Sequence, residues 1–181
     1  MSPKGSRSPE GAARGDVPER FVRVVGVVVR GDQAIVAQLM NDIPRHEMDT
    51  AFCHRQPDGS WEQGSSGNST GGYLPTGKGV GTVLTWEEAQ EGARAARFIY
   101  GDQEQIVQVE SGCVVAVFDD VSQDDWPFDG PRLDAWIDVS GAEQPVEKHA
   151  IPECMRTRFT ALVEGRGSDG SAAENPTTRY E

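Results

Sequence analysis

The chain has 181 residues, 36% of them hydrophobic, and carries 29 acidic against 17 basic side chains for a formal charge of −12. That length suits one domain. So acidic a body, with no basic stripe interleaved with aromatics, argues against nucleic acid and anionic membrane surfaces as partners.

The N-terminus shows no apolar signal core and no stretch approaches a transmembrane span. Three scattered cysteines, Cys53, Cys113 and Cys154, match a reducing compartment rather than a disulfide-stapled module. The expected setting is therefore cytoplasmic. Residues 1–19 and 165–181 are small and polar and read as disordered tails around a single domain at 20–164. Phe21–Arg30 (FVRVVGVVVR) is the first strand, and Gly31-Asp32 supplies turn chemistry. The next run, QAIVAQLM, fits a short helix or the return strand of a hairpin. The hairpin is favoured because GDQAIVAQL (31–39) echoes GDQEQIVQV (101–109), each after a β-rich run. A duplication would set the two segments in similar positions of facing sheets; shared turn grammar alone would not. Residues 48–56 read as a strand, Pro57-Asp58-Gly59 as a turn and Ser60–Glu62 as a return strand. From Gly64 to Gly81 there are seven glycines in eighteen residues, the composition of a long exposed loop. Val80–Trp86 returns to strand.

Thr85-Trp86-Glu87-Glu88 matches a capping box, which predicts one helical turn near 87–91 before a strand from about Arg94. Gly101-Asp102 joins that strand to another at 105–109. After Ser111-Gly112, Cys113–Phe118 is apolar on both faces and suits an interior strand covered on both sides. SQDDWPFDGPR is a loop, and Leu133–Val139 a strand with Trp136 inward. Pro152 could open a helix with Met155, Phe159, Leu162 and Val163 on one face and Gly165 beyond its end. The expected fold is mainly β: an antiparallel β-sandwich of immunoglobulin-like size, with a short C-terminal helix and disordered tails.

The candidate chemistry is thin. Gly72–Gly79 has the spacing of a phosphate-binding loop up to Gly77-Lys78, but Gly79 replaces the Mg²⁺-holding hydroxyl and a strand follows where a helix is needed. His46, Cys53 and His54 gather metal-binding types without a zinc spacing, and on a strand Cys53 and His54 point to opposite faces. His149 and Cys154 form a looser pair still. Asp119, Asp120, Asp124, Asp125 and Asp129 could offer oxygen ligands to Ca²⁺, though no EF-hand spacing is present; a solvated acidic loop is the alternative. Of the four tryptophans, two or three should be buried; Trp61 and Trp126 lie beside turns and, with Tyr73, are the candidates for a sugar- or peptide-binding face.

GVGTVLTWEEAQEGARAARFIYGDQEQIVQVESG (79–112), and more loosely CHRQPDGSWEQGSSGN (53–68), resemble a group of small β-rich proteins of actinobacterial type with no assigned activity. The resemblance covers about a third of the chain. It favours strands over helix at 94–100 and implies no functional residues. The leading functional expectation is a non-enzymatic binding module acting through loops at 57–79 and 119–131, using Trp61, Tyr73, Lys78 and Trp126 and no cofactor. Its partner would be a protein or peptide, which the acidic surface favours as basic. The alternatives are a small metal-dependent (Zn²⁺ or Ca²⁺) or thiol enzyme using His46, Cys53 and His54, and a sugar-binding module.

Overall fold

Alternating apolar residues and two-residue turns build eleven antiparallel strands among the residues described by a computed structural model, which are 5–42, 45–67 and 69–146. Those residues belong to one compact unit. Strands β1 (Val22–Arg30), β2 (Gln33–Asp42), β3 (Arg45–Arg55) and β4 (Trp61–Gly67) form a first sheet in sequence order. Strands β5 (Gly71–Gly77), β6 (Val80–Glu88) and β9 (Cys113–Ser122) form a second, ordered β5-β6-β9. The third has β7 (Ala93–Tyr100), β8 (Gln103–Gln108), β10 (Arg132–Asp138) and β11 (Glu143–Pro145) in the order β11-β10-β7-β8. The C-terminal helix expected from Pro152 and the tail from 165 lie outside the described residues.

The three sheets are layered, with β5-β6-β9 in the middle. One of its faces packs Leu74, Leu84, Trp86 and Cys113 against Val28, Ile35, Ala37 and Leu39 of the first sheet. The opposite face packs Val83, Val114, Ala116, Phe118 and Val121 against Ala96, Phe98 and Trp136 of the third. Successive side chains of a strand point to opposite faces, so β6 and β9 must present apolar residues alternately to both layers over their covered stretches, where β6 also buries Thr82 and Thr85. That is why Cys113–Phe118 reads as an unbroken apolar run. Fully burying each large side chain is worth about 1.5–3 kcal/mol, so the two faces of this short sheet hold most of the fold's apolar stabilisation.

The chain changes sheets between β8 and β9, so the expected three-strand run at 93–121 exists as strands but divides between two layers. The expected helical turn at 87–91 does not form. Glu87 and Glu88 stay in β6, paired with Val114 and Cys113, and Gly92 (φ 81°) closes a turn in which the Ala93 N–H donates to the Gln90 carbonyl at 3.0 Å. Ladder pairing with β9 outweighs a local capping motif.

The echoed segments are both return strands of hairpins. Gly31 (φ 59°) and Gly101 (φ 54°) take the left-handed conformation while Asp32 and Asp102 do not, the pattern of a turn with glycine first. Their surroundings differ, however. β2 is an interior strand buried from Ala34 to Leu39, whereas β8 is an edge strand with Ile106 54% exposed. Shared turn grammar accounts for the echo; equivalent placement does not.

The glycine-rich stretch is the largest departure from expectation. Instead of a loop from Gly64 to Gly81, it forms β4, β5 and the start of β6. The glycines at 71 and 81 serve close approach rather than freedom. A Cβ at Gly81 would lie 2.3 Å from the Leu74 carbonyl oxygen and 2.5 Å from Tyr73 Cζ, and one at Gly71 would lie 3.0 Å from Trp126 Cη2.

Residues assigned to an N-terminal tail also contain order. Helix α1 (Pro9–Arg14) starts at Ser8, whose Oγ accepts from the Gly11 N–H at 3.2 Å, with proline in the first turn. Its buried side, Pro9, Ala12 and Ala13, lies on the outer face of the first sheet over Ala34, Val36, Ala51, Cys53 and Trp61. Ser6 extends the contact with two backbone bonds to Trp61 at 3.0 and 2.7 Å. Two methyls and one ring bring only about 3–4 kcal/mol of apolar burial. Ordering costs roughly 1–2 kcal/mol per residue, so this strap is among the most weakly held parts of the unit.

Candidate functional site

One end of the second and third sheets gathers more of the expected site residues than any other described place. Tyr73 projects from β5 toward the third sheet, its ring lying across Gly81. The loop after β9 folds back over it, so Trp126 stacks on Tyr73 with centroids 6.4 Å apart and an interplanar angle of 23°. The Trp126–Pro127 peptide is cis. Both rings are half-buried. The β5–β6 turn carrying exposed Lys78 borders this loop, because the Gln123 N–H donates to the Gly79 carbonyl at 2.9 Å.

Tyr100, at the end of β7, holds the loop in place. Its hydroxyl donates to Asp125 Oδ2 at 2.7 Å and accepts from the Ser122 N–H at 2.9 Å. The Ser122 bond pulls the phenol pKa down, but burial and the neighbouring Asp125 outweigh it and leave the pKa raised. Burial, then the charge of Asp124, raises the Tyr73 phenol as well. Both phenols therefore stay neutral at physiological pH and act as hydrogen-bonding groups. Sequence reasoning missed Tyr100, although an aromatic ending a strand before a Gly-Asp turn was visible.

The five aspartates diverge. Asp119 lies in β9 rather than in a loop and turns toward the first sheet, where Arg30 of β1 donates to both its oxygens at 2.8 and 3.1 Å and Thr82 of β6 donates to Oδ1. The Thr82 bond, then Arg30, holds its carboxyl below the usual range. Asp120 is exposed at an irregular point of β9 with φ 59°. Asp125 is taken by Tyr100, while Asp124 and Asp129 are exposed. Among the described residues no group of three or more His, Cys, Asp or Glu is placed to hold a metal.

The remaining expected residues lie elsewhere. Trp61 is 7% exposed under α1, not at a surface, so it shares no face with Tyr73 and Trp126. With Trp86 and Trp136 it makes three buried tryptophans. Cys53 is buried on that outer face, its Sγ donating to the Pro9 carbonyl at 3.5 Å. Burial, then the charge of Glu10, pushes its thiol up to about 11, so it is no thiolate at neutral pH. His54 points the other way into solvent, 3.7 Å from Glu62. His46 belongs to β3, opposite Asn41; its side chain, like His149 and Cys154, lies outside the described residues. Gly72–Gly79 is strand and turn, without the helix a phosphate loop needs.

A buried polar pair at the α1 contact carried no sequence signal. Gln38 Nε2 donates to Asp49 Oδ2 at 2.9 Å and to the Ala13 carbonyl at 3.2 Å, with Gln38 1% and Asp49 5% exposed. Burial raises the Asp49 carboxyl pKa against the lowering effect of Gln38. Gln38 Oε1 has no partner among the described residues. No helix among them is long and apolar enough to cross a membrane. No family model matches this chain, and neither a curated protein nor a solved structure does.

Proposed function

We propose that the chain is a non-enzymatic interaction module that takes a cationic protein or peptide segment at the Tyr73–Trp126 end, in a cytoplasmic setting. The observation that carries this reading is the stacked, half-buried ring pair bordered by Asp124 and Asp125. Aromatic faces attract guanidinium and ammonium groups, and carboxylates beside them complete the match. The formal charge of −12 adds long-range attraction for a basic partner. Buried free thiols at Cys53 and Cys113 suit a reducing compartment.

The test is tryptophan fluorescence titration with an arginine-rich hexapeptide and a glutamate-rich one of equal length. The arginine peptide should bind, more weakly as salt rises, and Trp126→Ala should abolish the signal. Asp124→Asn should weaken binding severalfold. Equal response to both peptides, or to neither, overturns the proposal.

A further inference from the structure

We infer that the outer face of β2, β3 and β4 is a peptide-binding groove which the chain's own residues 5–14 occupy in cis. A segment of the same build, an extended residue pair followed by one helical turn of small side chains, can enter it in trans. This face is remote from the Tyr73–Trp126 end and stands independently of the reading given there.

Three observations converge on it. First, the groove recognises backbone rather than side chains. The Trp61 N–H and carbonyl pair with Ser6, Cys53 Sγ donates to the Pro9 carbonyl, and Gln38 Nε2 donates to the Ala13 carbonyl. A strand edge pairing with an extended residue is the usual start of peptide capture by a sheet. Such contacts accept any segment whose buried positions are as small as Pro9, Ala12 and Ala13.

Second, the strap underfills the space. A cavity of about 740 Å³ lies along it between Gly5–Asp16 and the β3–β4 turn, lined in part by Trp61 and Pro57. Another of about 560 Å³ lies on its far side against Val22, Arg23 and Val24 of β1, outside this groove. The first has room for side chains the strap does not bring.

Third, the groove holds an unmet polar atom. Gln38 Oε1 is buried without a partner at the point where the same amide grips α1. A buried acceptor left unpaired is costly. A ligand with a hydroxyl or amide donor there would gain a bond that the alanines of the strap cannot make. The occupant in cis is therefore a suboptimal ligand, held by proximity, as expected of a displaceable cover.

The full chain carrying Ala13→Glu tests this, since a carboxylate on the buried side of α1 cannot lie against Val36 and Ala51. Iodoacetamide labelling would be followed by mass spectrometry at each cysteine. Cys53 should react at least tenfold faster than in the parent, Cys113 at an unchanged rate, and a synthetic peptide of residues 4–15 should restore Cys53 protection. An unchanged Cys53 rate, or no protection by the peptide, overturns the inference.

If Cys113 also becomes reactive the variant has unfolded, and hydrogen exchange on the unmodified chain decides. The amides of Ser6, Ala12 and Trp61 should then exchange together, well before those of β6 and β9. Exchange of all of them in one common event overturns the inference.

Discussion

Trp86 offers the sharpest test of the layered arrangement, because it joins two sheets by packing and by a hydrogen bond. It is fully buried between the first and second sheets, and its Nε1 donates to Thr50 Oγ1 of β3 at 3.1 Å. Thr50 in turn donates to the Ser69 carbonyl at 2.7 Å, at the entry to β5. Trp86→Phe keeps an aromatic ring but loses ring volume and leaves an acceptor position on Thr50 unpaired. A part-cavity and one unpaired buried group together cost about 2–3 kcal/mol. At roughly 2–4 °C per kcal/mol for a unit near 150 residues, the midpoint should fall by about 5–10 °C. Trp86→Ala should cost on the order of 4–5 kcal/mol. A double-mutant cycle of Trp86→Phe with Thr50→Val, followed by circular dichroism in urea, should show a coupling of about 1 kcal/mol, because a phenyl ring has no N–H to offer the hydroxyl. A Trp86→Phe change below about 0.5 kcal/mol with no coupling would refute the placement of Trp86 between sheets.

Four further outcomes follow from the same geometry. Gly81→Ala should destabilise the unit and disturb the Tyr73–Trp126 pair together, seen as a shifted tryptophan emission, because its Cβ meets Tyr73 and the Leu74 carbonyl. Burial raises the carboxyl pKa values of Asp49 and Glu87, so their contribution to stability is fully present below the unfolded pKa and lost as pH rises through the folded one. The urea midpoint should therefore gain as pH falls through the folded values of these two groups, and Glu87→Gln should remove the Glu87 share of that gain. Asp119 has the opposite sign, lowered by Thr82 and Arg30, so its contribution is present above the unfolded pKa of 3.8 and lost as pH falls through the folded one. Arg30→Ala should cost under about 1 kcal/mol, since that pair is largely solvated, and the loss should shrink in high salt.

Much of the strand order was legible in the residues. Gly31-Asp32 and Gly101-Asp102 marked hairpins because glycine takes left-handed φ at little cost, and both hairpins form. Cys113–Phe118 announced its double burial through its composition. The opposite faces of Cys53 and His54 followed from strand periodicity alone. The sheet count was less legible. A run apolar on both faces shows that two layers cover it, but not that the covering sheets are separate ones. The order of α1 was hidden for a different reason. Alanine and proline beside serine and glycine look like tail composition, and only the flat apolar patch formed by β2, β3 and β4 gives them something to lie on.

The glycine-rich stretch joins the fold to the candidate site. Glycine permits mobility, and it also permits contact, and sequence composition does not separate the two. At Gly71 and Gly81 the missing Cβ is what lets Trp126 and Tyr73 lie flat on the β5–β6 hairpin. A side chain at either place would lift the rings off the hairpin and part the stack. The same residues that suggested a loose binding loop instead make a strand-paired floor for an aromatic pair, with Asp125 held beside it through Tyr100. Side chains already held by packing and hydrogen bonds have little conformational entropy left to lose on binding. Any affinity for a cationic segment should thus depend on Gly71 and Gly81 as strongly as on Trp126. Gly71→Ala provides the check: its Cβ would meet Trp126 and the Leu84 carbonyl, so it should reduce binding of the arginine-rich peptide while leaving the buried Trp136 of the third sheet undisturbed.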